Sequence, residues 1–269
     1  MKKNKTPKMI LCDVDGTLID SSEKITPDFD ELKALICGND LRFSLATGRS
    51  LELIDMYMKK LEITEAVLIN NGAGARQNGR VLWDEFFPPL CVKEAVKAAD
   101  RMDMAVFMCY GDYETAYRHN AYIQREIDVF GRYNHFYIPL ESEWGSLKLE
   151  RVMLTDPKKP GNIEALLPYL EPYRDQLEII QYDDRHIDVM KKGVSKGRAL
   201  CRLAEELGLS LDEIMVIGDG VNDLEMIREA GIGVAVGNAS PLLKENADYV
   251  CRESNTKGVI ETVRRFCVD

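Results

Sequence analysis

The sequence predicts an α/β protein with a Rossmann-like parallel sheet core and an inserted α+β domain. Before residue 84 and after residue 195, short apolar segments alternate with helical apolar stripes, which is typical of a parallel sheet covered on both faces. Between these regions the pattern suits a largely antiparallel sheet. A length of 269 residues with 45% hydrophobic content is sufficient for two domains. We therefore expect residues 1–84 and 191–269 to form the core and residues 85–190 to form the inserted domain.

The first part of the core is predicted to contain three strands joined by two helices. Each strand is a short apolar run that ends in polar residues, and each helix carries an apolar stripe at helical spacing. The first helix has Thr26 as its N-cap and Pro27 at its first position. The expected elements are strand 9–12, helix 27–38, strand 41–46, helix 51–61 and strand 66–69, followed by a polar, flexible loop over 70–74. A hairpin turn at Asn78-Gly79 then leads into a strand over 81–87, which ends at Pro88-Pro89.

The inserted domain and the second part of the core follow in order. The inserted elements are helix 91–101, strand 105–110, helix 122–129, strand 148–155, helix 163–169, and strands 177–182 and 186–190. Residues 191–193 form a plausible hinge back to the core. The core then resumes with a helix that starts at Ser195 and stops at Gly208. Its remaining elements are strand 214–217, helix 222–230, strand 232–236, helix 241–247, strand 249–251 and helix 259–266.

Composition excludes several classes of partner. The net charge of -10 and the pI near 5.0 argue against binding to nucleic acid and against docking on anionic lipid. We expect no export signal and no membrane span, because the apolar run that follows the basic N-terminus is too short for either. None of the seven cysteines forms a Cys-x-x-Cys pair, which predicts a reduced, cytoplasmic protein. We expect a monomer or weak homo-oligomer that acts on a small molecule.

Carboxylate residues that could bind a ligand follow the predicted strands. Asp13 and Asp15 come directly after the first strand, and Asp219 follows the strand 214–217 in the same way. Because ligands bind at the carboxyl ends of parallel strands, these carboxylates can converge on one point. Carboxylate oxygens suit Mg²⁺, and a cation would remove their mutual repulsion. The alternative for Asp13–Thr17 alone is a strand followed by an ordinary Asp-Gly turn.

Two further residues can bind an anion at the same edge. Thr47 ends the strand 41–46, and Lys196 lies at the start of a helix whose first amide groups are free. Taken singly, Lys196 would be an exposed lysine and Thr47 a plain strand-end residue. Arg49 either ties the loop after Thr47 to the core or touches the substrate, and the sequence leaves both open.

Four ordered stretches of the chain resemble the motifs of the haloacid dehalogenase (HAD) superfamily. They are Asp13-Val14-Asp15-Gly16-Thr17, Ala46-Thr47-Gly48-Arg49, Lys196, and Gly218-Asp219-Gly220-Val221-Asn222-Asp223. Further stretches, including Asn71-Gly72-Ala73 and 230–239, extend the resemblance to the Cof-type subfamily of phosphatases (class IIB). The resemblance implies the HAD fold, with the insertion forming an α/β lid of the C2B cap type.

The resemblance also implies roles for matching residues. Asp13 would be the nucleophile that forms an aspartyl-phosphate, and Asp15 the general acid and base. Mg²⁺ would be held by the Asp13 carboxylate, the Asp15 backbone carbonyl and Asp219. Asp223 and Asn222 would support that metal site directly or through water. The implied phosphate contacts are the Val14 backbone amide, Thr47, Gly48, Lys196 and Asn222.

The function implied is a magnesium-dependent phosphatase that hydrolyses small phosphomonoesters, such as sugar phosphates or phosphorylated cofactors. Two alternatives stay open at the level of the sequence. A phosphomutase of the phosphomannomutase type would transfer the phosphoryl group to a sugar rather than to water. A phosphometabolite-binding regulator would bind the ester without turnover, although the intact set of motif residues argues against it.

Overall fold

A computed structural model describes residues 6–133, 135–156 and 161–268 of the chain, so residues 1–5 of the basic N-terminus lie outside it. The chain forms two compact units. The first unit consists of Met1–Arg49, Leu53–Trp83 and Ser195–Asp269, and the second consists of Ser50–Glu52 and Asp84–Val194. Within the described ranges, no helix is both long enough and apolar enough to cross a membrane.

Strands and helices alternate along the described parts of the chain. The strands are β1 (Met9–Cys12), β2 (Arg42–Leu45), β3 (Val67–Ile69), β4 (Gly74–Gln77), β5 (Arg80–Asp84), β6 (Ala105–Tyr110), β7 (Tyr113–Ala116), β8 (Arg151–Thr155), β9 (Leu177–Gln181), β10 (His186–Lys191), β11 (Ile214–Gly218), β12 (Ile232–Ala235) and β13 (Tyr249–Val250). The α-helices are α1 (Asp28–Gly38), α2 (Leu51–Leu61), α3 (Lys93–Arg101), α4 (Ala121–Phe130), α5 (Asn162–Leu170), α6 (Lys196–Leu207), α7 (Leu224–Glu229), α8 (Pro241–Asn246) and α9 (Asn255–Cys267).

The first unit is built on a parallel sheet with the strand order β13-β12-β11-β1-β2. Every residue of β1 and β11 is buried, which shows that the centre of the sheet is covered on both faces. In the register of the sheet, Cys12 pairs with Leu45 of β2 and with Ile217 of β11. These three strands therefore end at the same level. Since β1 lies between β2 and β11, their common carboxyl edge is a topological switch point, where α/β proteins bind ligands.

Several local features differ from the sequence-based prediction. Helix α1 begins at Asp28, so Pro27 rather than Thr26 is its N-cap residue. The expected helix 222–230 begins with a 3₁₀ turn at Val221–Asp223, and regular α-helix starts only at Leu224. The loop after β3 was expected to be polar and flexible, but Asn70 and Asn71 are fully buried. Both have left-handed backbone conformations, with φ of 50° and 55°. A compact turn with polar side chains directed inward therefore replaces the flexible loop.

The second unit contains an antiparallel sheet with the order β7-β6-β8-β10-β9. The main hydrophobic core of this unit includes residues of α3 and α5 together with the fully buried Trp144. A smaller cluster joins Phe107 of β6 to Ile123 of α4. The expected strand 81–87 is shorter in the structure and ends with β5 at Asp84, where the second unit begins.

A charged cluster lies within the sheet of the second unit. The side chain of Arg151 is only 5% exposed. Its Nη1 donates to both oxygens of Asp188, at 3.0 and 3.2 Å, and its Nη2 donates to Glu114. Tyr182 and Tyr133 donate their hydroxyl groups to Asp188 and Glu114 at 2.8 and 2.7 Å. Burial raises the pKa of Asp188, and the charge of Arg151 opposes that rise.

Arg151→Met is expected to lower the free energy of unfolding of the second unit by about 3–5 kcal/mol, because it leaves two buried carboxylates without their cation. Arg118→Met is the matched control. Arg118 makes a similar two-bond contact with Asp100, at 2.7 and 3.1 Å, but its side chain is 56% exposed. Its loss should cost about 0–1 kcal/mol. Urea unfolding of both variants measures the difference, and equal losses would contradict the structural role of the buried cluster.

Candidate active site

The loop after β1 is closed by its own backbone. The carbonyl of Val14 accepts hydrogen bonds from the amides of Leu18 and Ile19, at 2.8 and 3.0 Å. Gly16 has φ of +77°, and a β-carbon there would lie 2.2 Å from Oδ2 of Asp219. Only glycine fits this position, because both the backbone conformation and the close approach of Asp219 exclude a side chain.

Residues near the C-terminus hold the same loop in place. The carbonyl of Gly16 accepts hydrogen bonds from the side-chain amides of Asn238 and Asn255, at 2.7 and 2.8 Å. The hydroxyl of Thr256 donates to the carbonyl of Leu18 at 2.6 Å. The start of α9 therefore fixes the backbone beside Asp13. The sequence analysis did not identify this role, since more than 200 positions of the chain separate the partners.

The loop after β11 is organised by Asp223. Oδ2 of this carboxylate accepts hydrogen bonds from the backbone amides of Asp219 and Gly220, at 3.0 and 2.9 Å. Thr17, from the loop after β1, donates its hydroxyl to Oδ1 of Asp219 at 3.0 Å. The sequence motif that contains Thr17 did not predict this contact. The two acidic loops are therefore joined directly, and the Asp219 carboxylate is held in a defined orientation.

Lys196 is completely buried and joins both acidic loops. Its Nζ donates to Oδ1 of Asp13 at 2.5 Å and to Oδ1 of Asp223 at 2.7 Å. The helix start that places it is capped by Ser195, whose hydroxyl accepts from the amide of Arg198 at 3.1 Å. Burial lowers the pKa of Lys196, but the charges of Asp13 and Asp223 outweigh burial and raise it above its ordinary value. Lys196 therefore stays cationic in the site.

Three carboxylates converge around this lysine. Oxygens of Asp13, Asp219 and Asp223 all lie within 4.8 Å of one another. Burial, followed by the charge of Asp223, raises the pKa of Asp13 well above its ordinary value. The same two causes raise the pKa of Asp219 to about 6. One lysine does not balance three carboxylates, so a divalent cation with a preference for hard oxygen ligands fits this donor set.

The side chain of Asp15 points to a different partner. Among the described residues, it is not a member of the three-carboxylate group. Its Oδ2 and Oδ1 accept hydrogen bonds from Nε and Nη2 of Arg49, at 2.8 and 2.5 Å. Of the four residues predicted as metal ligands, Asp15 was implied only through its backbone carbonyl. The structure favours the first of the two possibilities for Arg49, because this side chain binds the core rather than projecting outward.

The residues predicted to contact phosphate lie on neighbouring loops. Thr47 is buried, and its Oγ1 accepts a hydrogen bond from the amide of Arg49 at 3.1 Å. Asn222 donates its side-chain amide to Oδ1 of Asn71 at 3.0 Å. The amide of Asn71 donates to the carbonyl of Thr47 at 2.9 Å, and a β-carbon at Gly48 would lie 3.3 Å from the Asn71 side chain. Asn71 therefore links the loops of Thr47 and Asn222, a role the sequence analysis did not assign.

Comparisons with known proteins agree with this architecture. A family model described as haloacid dehalogenase-like hydrolase matches residues 10–263. The 5-amino-6-(5-phospho-D-ribitylamino)uracil phosphatase YcsE of Bacillus subtilis is 27% identical over 262 residues, which cover 96% of this chain and 95% of that protein. A phosphoglycolate phosphatase of Methanothermobacter thermautotrophicus is 28% identical over 275 residues, covering 96% and 98% of the two chains. The solved structure of the HAD subclass IIB sugar phosphatase BT4131 superposes with a TM-score of 0.79 at 22% identity, covering 97% of this chain and 100% of that one.

The first unit has a parallel sheet with acidic loops at its switch point, and the second unit is inserted into the chain after the first strands. The family match assigns this architecture to a class of hydrolases. The chain belongs to the haloacid dehalogenase-like hydrolase family, and it is a phosphatase. The predictions of family, fold class and enzyme class are therefore confirmed.

Proposed function

We propose that this protein is a magnesium-dependent phosphatase that hydrolyses small phosphomonoesters through an aspartyl-phosphate on Asp13. The observation that carries the proposal is the group of Asp13, Asp219 and Asp223 around the buried Lys196. Phosphoryl transfer depends mainly on positioning and on neutralising negative charge, and this group provides a carboxylate nucleophile beside a fixed cation.

In the first half-reaction, an oxygen of Asp13 attacks phosphorus and the bond to the leaving alcohol breaks. Asp15 gives a proton to the departing oxygen. In the second half-reaction, water attacks phosphorus, the bond between phosphorus and Asp13 breaks, and Asp15 takes the proton of the water. Lys196 donates to Oδ1 of Asp13, so its charge lies beside the position at which the phosphoryl group is transferred.

We assign the metal site to the carboxylates of Asp13 and Asp219, with the backbone carbonyl of Asp15. Both oxygens of Asp223 already accept hydrogen bonds, from Lys196 and from the amides of Asp219 and Gly220, which favours a supporting role for this residue. Mg²⁺ bound there supplies positive charge to the phosphoryl oxygens. Val14, Thr47, Gly48 and Asn222 are proposed to complete the phosphate contacts.

The substrate class follows from the chemistry and from the relatives. The related phosphatases are named for a ribitylamino-uracil phosphate and for phosphoglycolate, both of them small phosphomonoesters. We propose sugar phosphates or phosphorylated cofactors as substrates here. We also propose that the inserted unit is the C2B-type cap, with the predicted domain boundaries at 84/85 and 190/191, and that it carries substrate selection. The cytoplasmic location and the monomeric or weakly oligomeric state stay predictions from composition.

A panel of phosphomonoesters tests this function. Hexose phosphates, flavin mononucleotide, pyridoxal phosphate and phosphoglycolate are incubated with the protein and Mg²⁺, and released phosphate is measured against Asp13→Asn as the blank. We expect phosphate release from at least one ester. A hexose 1-phosphate with a bisphosphate primer is included in the panel. Conversion to the 6-phosphate without free phosphate, or tight binding of an ester without turnover, would contradict the proposal.

Removal of divalent cations is expected to lower phosphate release by about 10²–10⁴-fold, since a bound cation contributes several kcal/mol of charge stabilisation in the transition state. Activity is measured after dialysis against EDTA and again after addition of Mg²⁺, which should restore it. EDTA saturated with Mg²⁺ serves as the control for effects of the chelator itself. Full activity after exhaustive chelation would rule out the metal assignment.

A further inference from the structure

The guanidinium group of Arg49 is held at a defined position next to Asp15. The backbone amide of Arg49 donates to Oγ1 of Thr47, and its carbonyl accepts from the amide of Asn70 at 2.9 Å. Its side chain is only 10% exposed, and Nη1 donates to Oε2 of Glu23 at 2.8 Å. The arginine is thus fixed both at its backbone and at the far end of its side chain.

Glu23, the far anchor of the Arg49 side chain, is itself held in place by the residues around it. The carbonyl of Glu23 accepts a hydrogen bond from the hydroxyl of Tyr57 at 3.0 Å. Tyr57 is almost completely buried and packs against Phe29, with the ring centroids 6.0 Å apart. The backbone of Glu23 is therefore tied to the hydrophobic core of the first unit.

The side chain of Asp15 is more exposed than that of Arg49. Its side chain is 53% exposed, so the two hydrogen bonds from Nε and Nη2 of Arg49 are a major restraint on its carboxylate. A guanidinium that donates through two parallel N–H groups fixes both the position and the plane of the carboxylate that it binds. The observed pair therefore holds the Asp15 carboxylate in one orientation.

We propose that Arg49 is a positioning residue that orients Asp15 as the base for hydrolysis of the aspartyl-phosphate. This inference rests on the proposed function. In the step concerned, the oxygen of water forms a bond to phosphorus while the bond between phosphorus and Asp13 breaks. The electron pair of the broken bond returns to the Asp13 carboxylate, and the proton of the water passes to Asp15. Proton transfer requires the accepting oxygen to be aligned with the attacking water, and the two hydrogen bonds from Arg49 hold the Asp15 carboxylate in a fixed direction.

The test uses p-nitrophenyl phosphate in rapid-mixing experiments with Mg²⁺. Nitrophenolate is a good leaving group that departs without a proton, so its release reports the first half-reaction while steady-state phosphate release reports the second. Arg49→Lys keeps the charge but cannot make the two-bond contact. We expect the steady-state rate to fall by about 10–100-fold, with the initial nitrophenolate release almost unchanged. The fraction of protein that carries acid-quenched phosphoenzyme should rise.

Arg42→Lys is the matched control. Arg42 binds Glu65 through the same two nitrogens, Nε and Nη2, at 3.0 and 2.9 Å, but it lies at the opposite end of β2. This variant should change neither half-reaction. Glu23→Gln, which weakens the far anchor without removing Arg49, should shift the phosphoenzyme fraction in the same direction by a smaller factor.

Equal slowing of both half-reactions in Arg49→Lys, or a phosphoenzyme fraction no higher than in Arg42→Lys, would overturn the assignment. If Arg49→Lys does not fold, an unchanged phosphoenzyme fraction in Glu23→Gln would also overturn it. Failure of the proposed function gives a different result, because the unmodified protein would then release no nitrophenolate and form no phosphoenzyme.

Discussion

Asp13→Asn is expected to lower phosphate release by at least about 10⁴-fold, because a carboxamide is a poor nucleophile and the covalent route through this residue is lost. The fold should be retained. Lys196 keeps its hydrogen bond to Asp223 in this variant, so the substitution leaves a buried pair of opposite charges rather than an unpaired lysine. The measurement is phosphate release with the best ester of the panel, together with circular dichroism of the purified variant.

Asp20→Asn is the control for Asp13→Asn. Asp20 lies near the end of the same loop but is exposed, and its carboxylate binds only locally to Ser22 among the contacts described. Its substitution should leave the rate within about twofold of the unmodified protein, as for most surface positions. Phosphate release by Asp13→Asn at the rate of Asp20→Asn would remove Asp13 as the nucleophile.

Lys196→Met is expected to affect both stability and activity. Without the ammonium group, the buried carboxylates of Asp13 and Asp223 lose their common cation, at a cost of about 3–5 kcal/mol in the free energy of unfolding. Phosphate release should fall by about 10²–10³-fold, the usual effect of removing a charge-stabilising donor from an active site. Denaturant unfolding and phosphate release of the purified variant measure the two effects.

The control for Lys196→Met is Lys33→Met. Lys33 binds Glu62 at 2.8 Å with a partly exposed side chain, and this pair should contribute about 0–1 kcal/mol. The double variant Lys196→Met with Asp13→Asn should regain part of the lost stability, since one of the two unpaired carboxylates is then removed. Equal stability of Lys196→Met and Lys33→Met would contradict the stabilising role of Lys196. Full activity of Lys196→Met would contradict its role in phosphate release.

The level at which the strands end explains why much of the site could be predicted from the sequence. Asp13, Thr47 and Asp219 each follow an apolar strand, and parallel strands of one sheet bring such residues to a common edge. The structure contains this arrangement, because Cys12 at the end of β1 pairs in register with Leu45 of β2 on one side and with Ile217 of β11 on the other. Strand ends are visible in the sequence as a change from apolar to polar residues.

The side-chain pairs within the site could not be predicted in the same way. Arg49 binds Asp15, and Thr17 binds Asp219, across 34 and 202 positions of the chain. Such contacts depend on the directions of side chains after folding, which hydrophobic periodicity does not describe. The buried Asn71 was also missed as a contact of Asn222, because polar residues next to glycine are usually typical of exposed turns.

In the inserted unit too, the type of sheet could be predicted from the sequence, but the side-chain contacts could not. The pattern of strands and helices in this unit predicted a largely antiparallel sheet, and the structure contains one. Arg151 is the first residue of β8, and Asp188 lies between two apolar residues of β10. The sequence alone does not reveal that these two side chains meet inside the sheet. Their pairing depends on the registers of β8 and β10, which are determined by the packing of the whole unit.

The most direct test of the account is to identify the residue that carries the phosphoryl group. The Asp15→Asn variant, in which we expect hydrolysis of the intermediate to be slowed, is mixed with p-nitrophenyl phosphate and Mg²⁺. It is then treated with borohydride, which reduces an aspartyl-phosphate to homoserine. Mass spectrometry of the peptides locates the modified residue. We predict homoserine at position 13. Homoserine at another aspartate, or release of nitrophenolate with no homoserine formed, would contradict the account.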